Sequence, residues 1–429
     1  MKRVAITTLG CKTNQFESAA MCEQFVQAGH TIVPFTEQAD IYLINSCTVT
    51  ARTDAETRRL IRRARRLNPA ARIVATGCYA QVAPGELENM PEVDSVLGNS
   101  EKRDIVSLVE SGNNQVSDIA SEKFARPLEI SSFAEHTRAF LQIQNGCDSF
   151  CAYCIVPFAR GRSRSVPLDN VLQGIRNFVG KGFQEVVLTG IHLGGYGLDL
   201  SPPASLVELL RQIDSERLVP RLRLGSIEPN ELGDDLIELM ARSPIICHHL
   251  HLPLQSGSNS VLERMSRHYT ADYFRNLLFK VNSVLPDIFI GGDIIAGFPG
   301  ETEQEFGETI RLVEESPFAD LHVFPYSRRP GTKAAKFPGQ LPHQLIKERA
   351  DRLRQLAADK KEAYLRKNLR KNLMVLVQGY DELSGLCRSL SRNYLNVRFA
   401  GSVKMLNREF VVTAKKMVND TDLEGFIDG

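Results

Sequence analysis

The sequence predicts an α/β chain in three parts: an N-terminal parallel α/β sheet, a central partial (β/α)6 barrel and a small C-terminal β-barrel. Three observations predict it. Over residues 1–125, short apolar runs alternate with helical patterns. Six further strand–helix units follow in 136–366. Beyond a long charged helix, 367–429 turns strand-like again.

The N-terminal runs are Val4-Ala5-Ile6-Thr7, Thr31-Ile32-Val33, Ile41-Tyr42-Leu43-Ile44, Arg72-Ile73-Val74-Ala75 and Ser95-Val96-Leu97. Each is too short for a helix, and most are rich in β-branched residues. Helical patterns fill the intervals, among them 53–67, which ends before the Asn68-Pro69 breaker. Alternation at this spacing implies a parallel sheet, whose ligands gather beyond the carboxyl ends of its strands. A polar stretch from Asn113 to Glu135 reads as a linker, with the boundary between units set at 126–135.

The central strands are expected at 139–144, 185–189, 221–226, 248–254, 288–295 and 321–326. Their chemistry would gather at the C-terminal mouth, where Cys147, Thr189, Gly190, Ser226, Glu228, Gln255 and Gly297 fall. The charged helix is expected at about 342–370, and the last strands at 373–378, 393–399 and 409–414.

Apolar residues make up 43% and charged residues 24%, which places the chain among globular proteins rather than disordered ones. A net charge of +1 means that any affinity for nucleic acid must come from local basic patches. There is no long uninterrupted apolar stretch and no signal-peptide pattern after Met1-Lys2-Arg3, so a cytoplasmic protein without membrane contact is expected. In that compartment nine cysteines are not a disulfide framework, and clustered ones point to metal or redox chemistry.

Two cysteine sets stand out. Cys147, Cys151 and Cys154 lie within eight residues, and no fourth Cys or His sits at finger spacing. Thiolates favour iron–sulfur clusters or zinc, but structural zinc closes with four ligands. A cluster held by three leaves one iron open for an exogenous ligand. Structural zinc and buried thiols are the alternatives. Cys11, Cys47 and Cys78 each follow a predicted strand, so one sheet edge would bring them together. Cys22, Cys247 and Cys387 read as core.

The spacing Cys147-x3-Cys151-x-Tyr153-Cys154 resembles the radical S-adenosylmethionine superfamily, with Tyr153 in the aromatic place. Leu9-Gly10-Cys11-Lys12, Asn45-Ser46-Cys47-Thr48 and Thr76-Gly77-Cys78-Tyr79 are similar to the N-terminal motifs of its methylthiotransferases. Leu188-Thr189-Gly190, Leu254-Gln255-Ser256-Gly257 and Gly297-Phe298-Pro299-Gly300-Glu301 continue the match. That resemblance implies a TIM-like partial barrel, two [4Fe–4S] clusters and S-adenosyl-L-methionine. It gives radical generation to Cys147, Cys151 and Cys154, and sulfur donation to the cluster of Cys11, Cys47 and Cys78. It implies an electron donor such as flavodoxin or ferredoxin.

Gly10-Cys11-Lys12-Thr13-Asn14-Gln15 is similar to the class acting on threonylcarbamoyladenosine at position 37 of tRNA, in the anticodon stem-loop. The alternatives are the classes acting on isopentenyladenosine tRNA or a ribosomal protein, and a non-catalytic, metal-stabilised RNA-binding protein.

Tyr153, Thr189, Gly190, Glu228, Gln255 and Gly297 are the candidate cofactor contacts, with Gly297 permitting close approach to adenine. Arg160 and Arg162 are candidates for steering substrate. Arg58 and Arg62, in a run with Arg59, Arg63, Arg65 and Arg66, would grip tRNA phosphates or form a solvated basic face. The region 345–371 carries a local charge of +6 (ten Lys/Arg, four Asp/Glu) and has the same two readings. His249 and His251 share a strand face and read as packing or supporting groups. The C-terminal segment resembles a TRAM domain, a small RNA-binding barrel, through Val375-Leu376-Val377 and Ser391-Arg392-Asn393-Tyr394-Leu395.

Overall fold

The computed structural model describes residues 1–125, 128, 130 and 137–427. The expected linker at 126–135 lies outside them, Leu128 and Ile130 apart, and both of these pack against the barrel core.

Five parallel strands form the first sheet: β1 (Arg3–Thr8), β2 (Thr31–Ile32), β3 (Ile41–Ser46), β4 (Arg72–Gly77) and β5 (Ser95–Val96), in the order β2-β1-β3-β4-β5. β3 is central and buried along its whole length, as its unbroken apolar run requires. Alternate residues feed two cores. Ile41 and Leu43 face Met21 and Phe25 of α1 (Lys12–Gln27), and Tyr42 and Ile44 face Leu60 and Ile61 of α2 (Ala51–Leu67). Thr50 caps α2 in a reciprocal box with Thr53.

The six expected central strands are present as β6 (Arg138–Gln142), β7 (Glu185–Thr189), β8 (Arg221–Leu224), β9 (His249–His251), β10 (Phe289–Ala296) and β11 (Asp320–Pro325). They are parallel, in the order β6-β7-β8 and β9-β10-β11. Parallel bridges Leu222–Ile246 and Ser226–His251 join the two halves. Among the described residues no pairing joins β6 to β11, so the barrel is open on one side. Phe16 of α1 enters the barrel core there. β9 stops well short of Leu254, because Pro253 cannot donate to a ladder and Gln255 adopts a left-handed backbone (φ 63°).

The charged helix, α3 (His343–Lys367), packs along β10 and β11. The C-terminal unit is a closed five-stranded barrel: β12 (Asn372–Asp381), β13 (Leu386–Ser391), β14 (Asn396–Ala400), β15 (Glu409–Met417) and β16 (Asp422–Phe426), in the order β12-β13-β14-β16-β15. The sequence predicted three of the five. β13 and β16, with Arg388 and three Ser/Cys positions in one and Asp422 and Glu424 in the other, lack the β-branched pattern.

This small barrel covers the N-terminal ends of the central strands, opposite the mouth. Glu185, Arg221 and Arg223, fully buried at the starts of β7 and β8, carry the junction. Glu185 accepts from Arg221 Nε and Arg223 Nε at 2.9 Å each. The guanidiniums continue outward to the carbonyls of Leu390 (3.0 Å) and Ser391 (3.2 Å) and to Glu409 (2.8 Å). Tyr394 lies against His249, with ring centroids 4.2 Å apart.

Burial alone would raise the Glu185 carboxyl, but Arg223 and Arg221 outweigh it and hold the group at about 2, below its ordinary 4.5. Its stabilising contribution is therefore present above pH about 4.5 and is lost as pH falls toward about 2. Glu185→Ala takes the carboxylate from the buried Arg223 and leaves Arg221 only Glu409, and should cost about 3–5 kcal/mol. Thermal unfolding should show the loss, and trypsin should cut sooner between α3 and β12 than in wild type.

Candidate metal centres

β1, β3 and β4 are neighbours in register, so the residues just past them share one carboxyl edge. Cys11 precedes α1, Cys47 follows β3 and Cys78 follows β4. Asparagines tie the loops. Asn14 Nδ2 donates to the carbonyls of Leu9 (2.7 Å) and Ser46 (3.0 Å), and Asn45 Nδ2 donates to the carbonyl of Asn14 (3.0 Å). Gly10 fits under Cys47: at φ 97°, a Cβ would stand 2.9 Å from the Cys47 sulfur. Burial, then the neighbouring Cys78 and Cys11, pushes the Cys47 thiol up to about 12. A thiol whose ionisation its thiol neighbours oppose in this way suits a cation bound among them, which reverses the effect.

Cys147, Cys151 and Cys154 occupy the loop between β6 and a short helix, Val156–Arg160. The loop is anchored by Ala152, whose N–H donates to the carbonyl of Met265 (2.9 Å) and whose carbonyl accepts from Ala334 N–H (2.8 Å). Burial pushes Cys154 up to about 12. Burial also pushes Cys147 upward, but His192, 3.8 Å away, and the Ser149 N–H, 3.5 Å away, outweigh it and lower this thiol. Arg267 Nη1 donates to the Cys151 sulfur (3.4 Å) and pairs with Glu228 through both terminal nitrogens. Three thiols lining one adjoining cavity fit a cluster with one iron open to an exogenous ligand.

That cavity, about 320 Å³, is lined by all three late cysteines, Tyr153, Glu228 and Gln255. Its lining also includes Val49 and Thr50, just past Cys47 on the N-terminal sheet. The docking of sheet on barrel that brings these two residues to the mouth uses buried charge. Arg329 Nη2 donates to Thr48 Oγ1 (2.7 Å) and Asp54 Oδ2 (2.6 Å), and Ala51 N–H donates to Ser327 Oγ (3.0 Å). Asn99 Nδ2 donates to the carbonyl of Ala159 (2.7 Å). Asp293, also lining the cavity, is ion-paired to His251 (2.8 Å) and His322 (3.3 Å). Both imidazoles hold its carboxyl well below the usual range against the opposing effect of burial.

Several expected contacts lie elsewhere. Gly297 does not line the cavity. It sits beneath α3, where a Cβ would stand 2.7 Å from Ile346, so its glycine serves packing at φ 78°. Thr189 and Gly190 are not among the lining residues; the Thr189 carbonyl accepts from Ile143 N–H (2.9 Å), and Gly190 abuts Gln144. Arg160, expected to steer substrate, is 1% exposed and ion-paired to Glu17. Arg162 is exposed and pairs with Asp148 at 2.5 Å. Arg58 donates to the Tyr79 hydroxyl (2.6 Å), while Arg62 is half-exposed, 3.8 Å from Glu92.

The basic surplus of α3 is largely taken up by the chain itself. Arg349 pairs with Glu301 (2.8 Å), Arg352 with Glu303 (2.9 Å) and Lys361 with Asp320 (3.2 Å). Sequence reasoning missed His192, Arg267 and Arg329, which reach the sites from distant loops without a local motif. Glu17 carried a signal: it lies three residues from Asn14, hence on the same face of α1.

Residues 3–98 match a model described as uncharacterized protein family UPF0004, and residues 141–313 match the radical SAM superfamily. The chain is 39% identical over 418 residues to threonylcarbamoyladenosine tRNA methylthiotransferase MtaB of Bacillus subtilis (strain 168), covering 95% of this chain and 92% of that one. The MtaB of Thermotoga maritima is 39% identical over 428 residues, covering 97% of each. The tRNA-2-methylthio-N(6)-dimethylallyladenosine synthase of Syntrophobacter fumaroxidans is 35% identical, covering 88% of this chain and 85% of that one. Among solved structures, the radical S-adenosylmethionine methyltransferase TsrM of Kitasatospora setae, with tryptophan and a SAM analogue, superposes with a TM-score of 0.54. It is 15% identical, covering 76% of this chain and 74% of that one, and shares the fold.

The Gly10 contact yields a direct test. Gly10→Ala should displace the Cys47 thiol and lower the metal retained by Cys11, Cys47 and Cys78, measured as iron per chain in protein lacking the three late thiols.

Proposed function

Because the chain belongs to the radical S-adenosylmethionine tRNA methylthiotransferases, we propose that it converts N6-threonylcarbamoyladenosine at position 37 of tRNA to its 2-methylthio derivative. The observation that carries this reading is one cavity lined both by the late cysteines and by Val49 and Thr50, just past Cys47. Two separated cofactor sites serve one substrate atom only if both open onto the space it occupies.

In this reading Cys147, Cys151 and Cys154 hold one [4Fe–4S] cluster, and Cys11, Cys47 and Cys78 hold the other. When bound, these clusters and S-adenosyl-L-methionine supply radical generation, sulfur and a methyl group. The chain's own groups orient and shield. His192 favours the thiolate form of Cys147, and the Arg267–Glu228 pair fixes the Cys151 side of the cavity. Tyr153 and Gln255 close the cavity beside the ligand, and Ile295 and Phe324 give it an apolar wall that limits water. The Asp293–His251–His322 group offers polar contacts for the modified base.

Residues 1–125 form the sulfur-donating unit, 136–366 the radical unit and 367–429 a TRAM-like unit. Exposed Lys404, Arg408 and Lys415 would offer the last of these its contact to RNA phosphates. The partners are the anticodon stem-loop and a donor such as flavodoxin or ferredoxin, in the cytoplasm. Among the described residues no helix is long and apolar enough to cross a membrane.

Nucleoside analysis of tRNA from a strain lacking the gene tests the reaction. The 2-methylthio-N6-threonylcarbamoyl nucleoside should vanish and its unthiolated precursor rise. Loss of the isopentenyl derivative instead would assign the sister class. On purified protein, Cys151→Ala should abolish S-adenosylmethionine cleavage, whereas Cys47→Ala should spare cleavage and stop thiolation. A Cys47 variant that still thiolated at normal yield would refute the donor role.

A further inference from the structure

Beneath the early thiols lies a buried charge group that the reaction as described does not use. Arg160 Nε–H donates to the Cys78 sulfur at 3.2 Å. Its terminal nitrogens bind Glu17, with Nη2 3.0 Å from Oε2, and the Asn14 side-chain oxygen. The same Glu17 carboxylate accepts from Lys102 Nζ. All three charged side chains are at most 4% exposed. Glu101, the neighbouring buried carboxylate, is turned to Ser117, and Arg164 lies between the Arg160 and Glu122 carbonyls.

Two cations therefore share one carboxylate at the N-terminal sheet's junction with the barrel. A surplus positive charge out of contact with water is costly unless an anion compensates it. The face of the group not occupied by Glu17 and Asn14 is the face that touches Cys78. A cluster bound by three thiolates is a net anion there, and its negative charge grows by one on reduction.

We propose that Arg160 is a positioning and redox-tuning residue of the Cys11/Cys47/Cys78 centre, its N–H···S bond and the surplus charge it shares with Lys102 favouring the reduced cluster. This rests on the reading that those cysteines hold a [4Fe–4S] cluster. Hydrogen bonds to sulfur and local net charge are the levers by which a protein sets a cluster's potential. Glu17 works the other way, since it cancels part of the positive charge.

The test uses the full chain carrying Cys147→Ala, Cys151→Ala and Cys154→Ala, so that one centre remains. After anaerobic reconstitution, iron per chain is determined by chemical assay and the cluster type by Mössbauer spectroscopy. One-electron midpoint potentials follow from dithionite titration monitored by paramagnetic resonance. Arg160→Gln should shift the midpoint to more negative values and Glu17→Gln to more positive values, each with the cluster retained. Opposite signs separate tuning from general damage, which would move both variants the same way. Arg160→Lys, which keeps charge but loses the forked geometry, should fall between Arg160→Gln and the parent.

Midpoints that do not move, or that move in the same direction, would overturn the role of Arg160 alone. Failure of the parent triple variant to bind any cluster would overturn the donor-site reading itself, and the tuning role with it.

Discussion

The N-terminal sheet is held against the open side of the barrel by buried arginines, and everything at the mouth depends on that docking. Arg160 reaches from the barrel to Glu17 and Asn14, and Arg329 reaches from the loop after β11 to Asp54 and Thr48. Ion pairs of this kind are dear to bury and dearer to break, because losing one partner strands a charge without water. They make poor glue in general but a specific key, since only one relative placement satisfies both guanidiniums. The placement they select lays the Cys47 loop across the cavity that the late cysteines line.

The barrel's two ends divide the work. At the mouth, the loops past the strands carry the late thiols, His192 and Glu228, and β10 carries Asp293; burial and neighbours shift the ionisation of Cys147, Cys154, His192 and Asp293. At the other end Glu185, Arg221 and Arg223 form a closed charge group that seats the small C-terminal barrel. The first end keeps reactive groups at an open cavity. The second satisfies its polar atoms internally, which suits a joint rather than a site.

Much of this was legible from residues. Parallel strands show as apolar runs because both faces are covered, and three cysteines placed just after three such runs must meet at one edge. The late set stood out by its spacing, which alone left zinc and buried thiols as alternatives. What stayed hidden were relations between distant segments. Gly297 looked like a cofactor contact because it follows a strand, but Ile346 of α3 claims its space. Thr189 lies at a strand end too, where its carbonyl accepts a bond from Ile143 N–H. Arg160 looked like a surface base because nothing local announced Glu17, 143 residues earlier. Strands β13 and β16 escaped notice because barrel closure, not propensity, makes them strands.

The proposed reaction requires two clusters in each chain, one on each three-thiol set. The most direct measurement is Mössbauer spectroscopy on the anaerobically reconstituted wild-type chain, with total iron determined alongside. About eight irons per chain in two [4Fe–4S] signals are expected, since each cluster holds four. About four irons in a single signal, with zinc or free thiols at Cys11, Cys47 and Cys78, would contradict the two-centre arrangement and the sulfur transfer built on it.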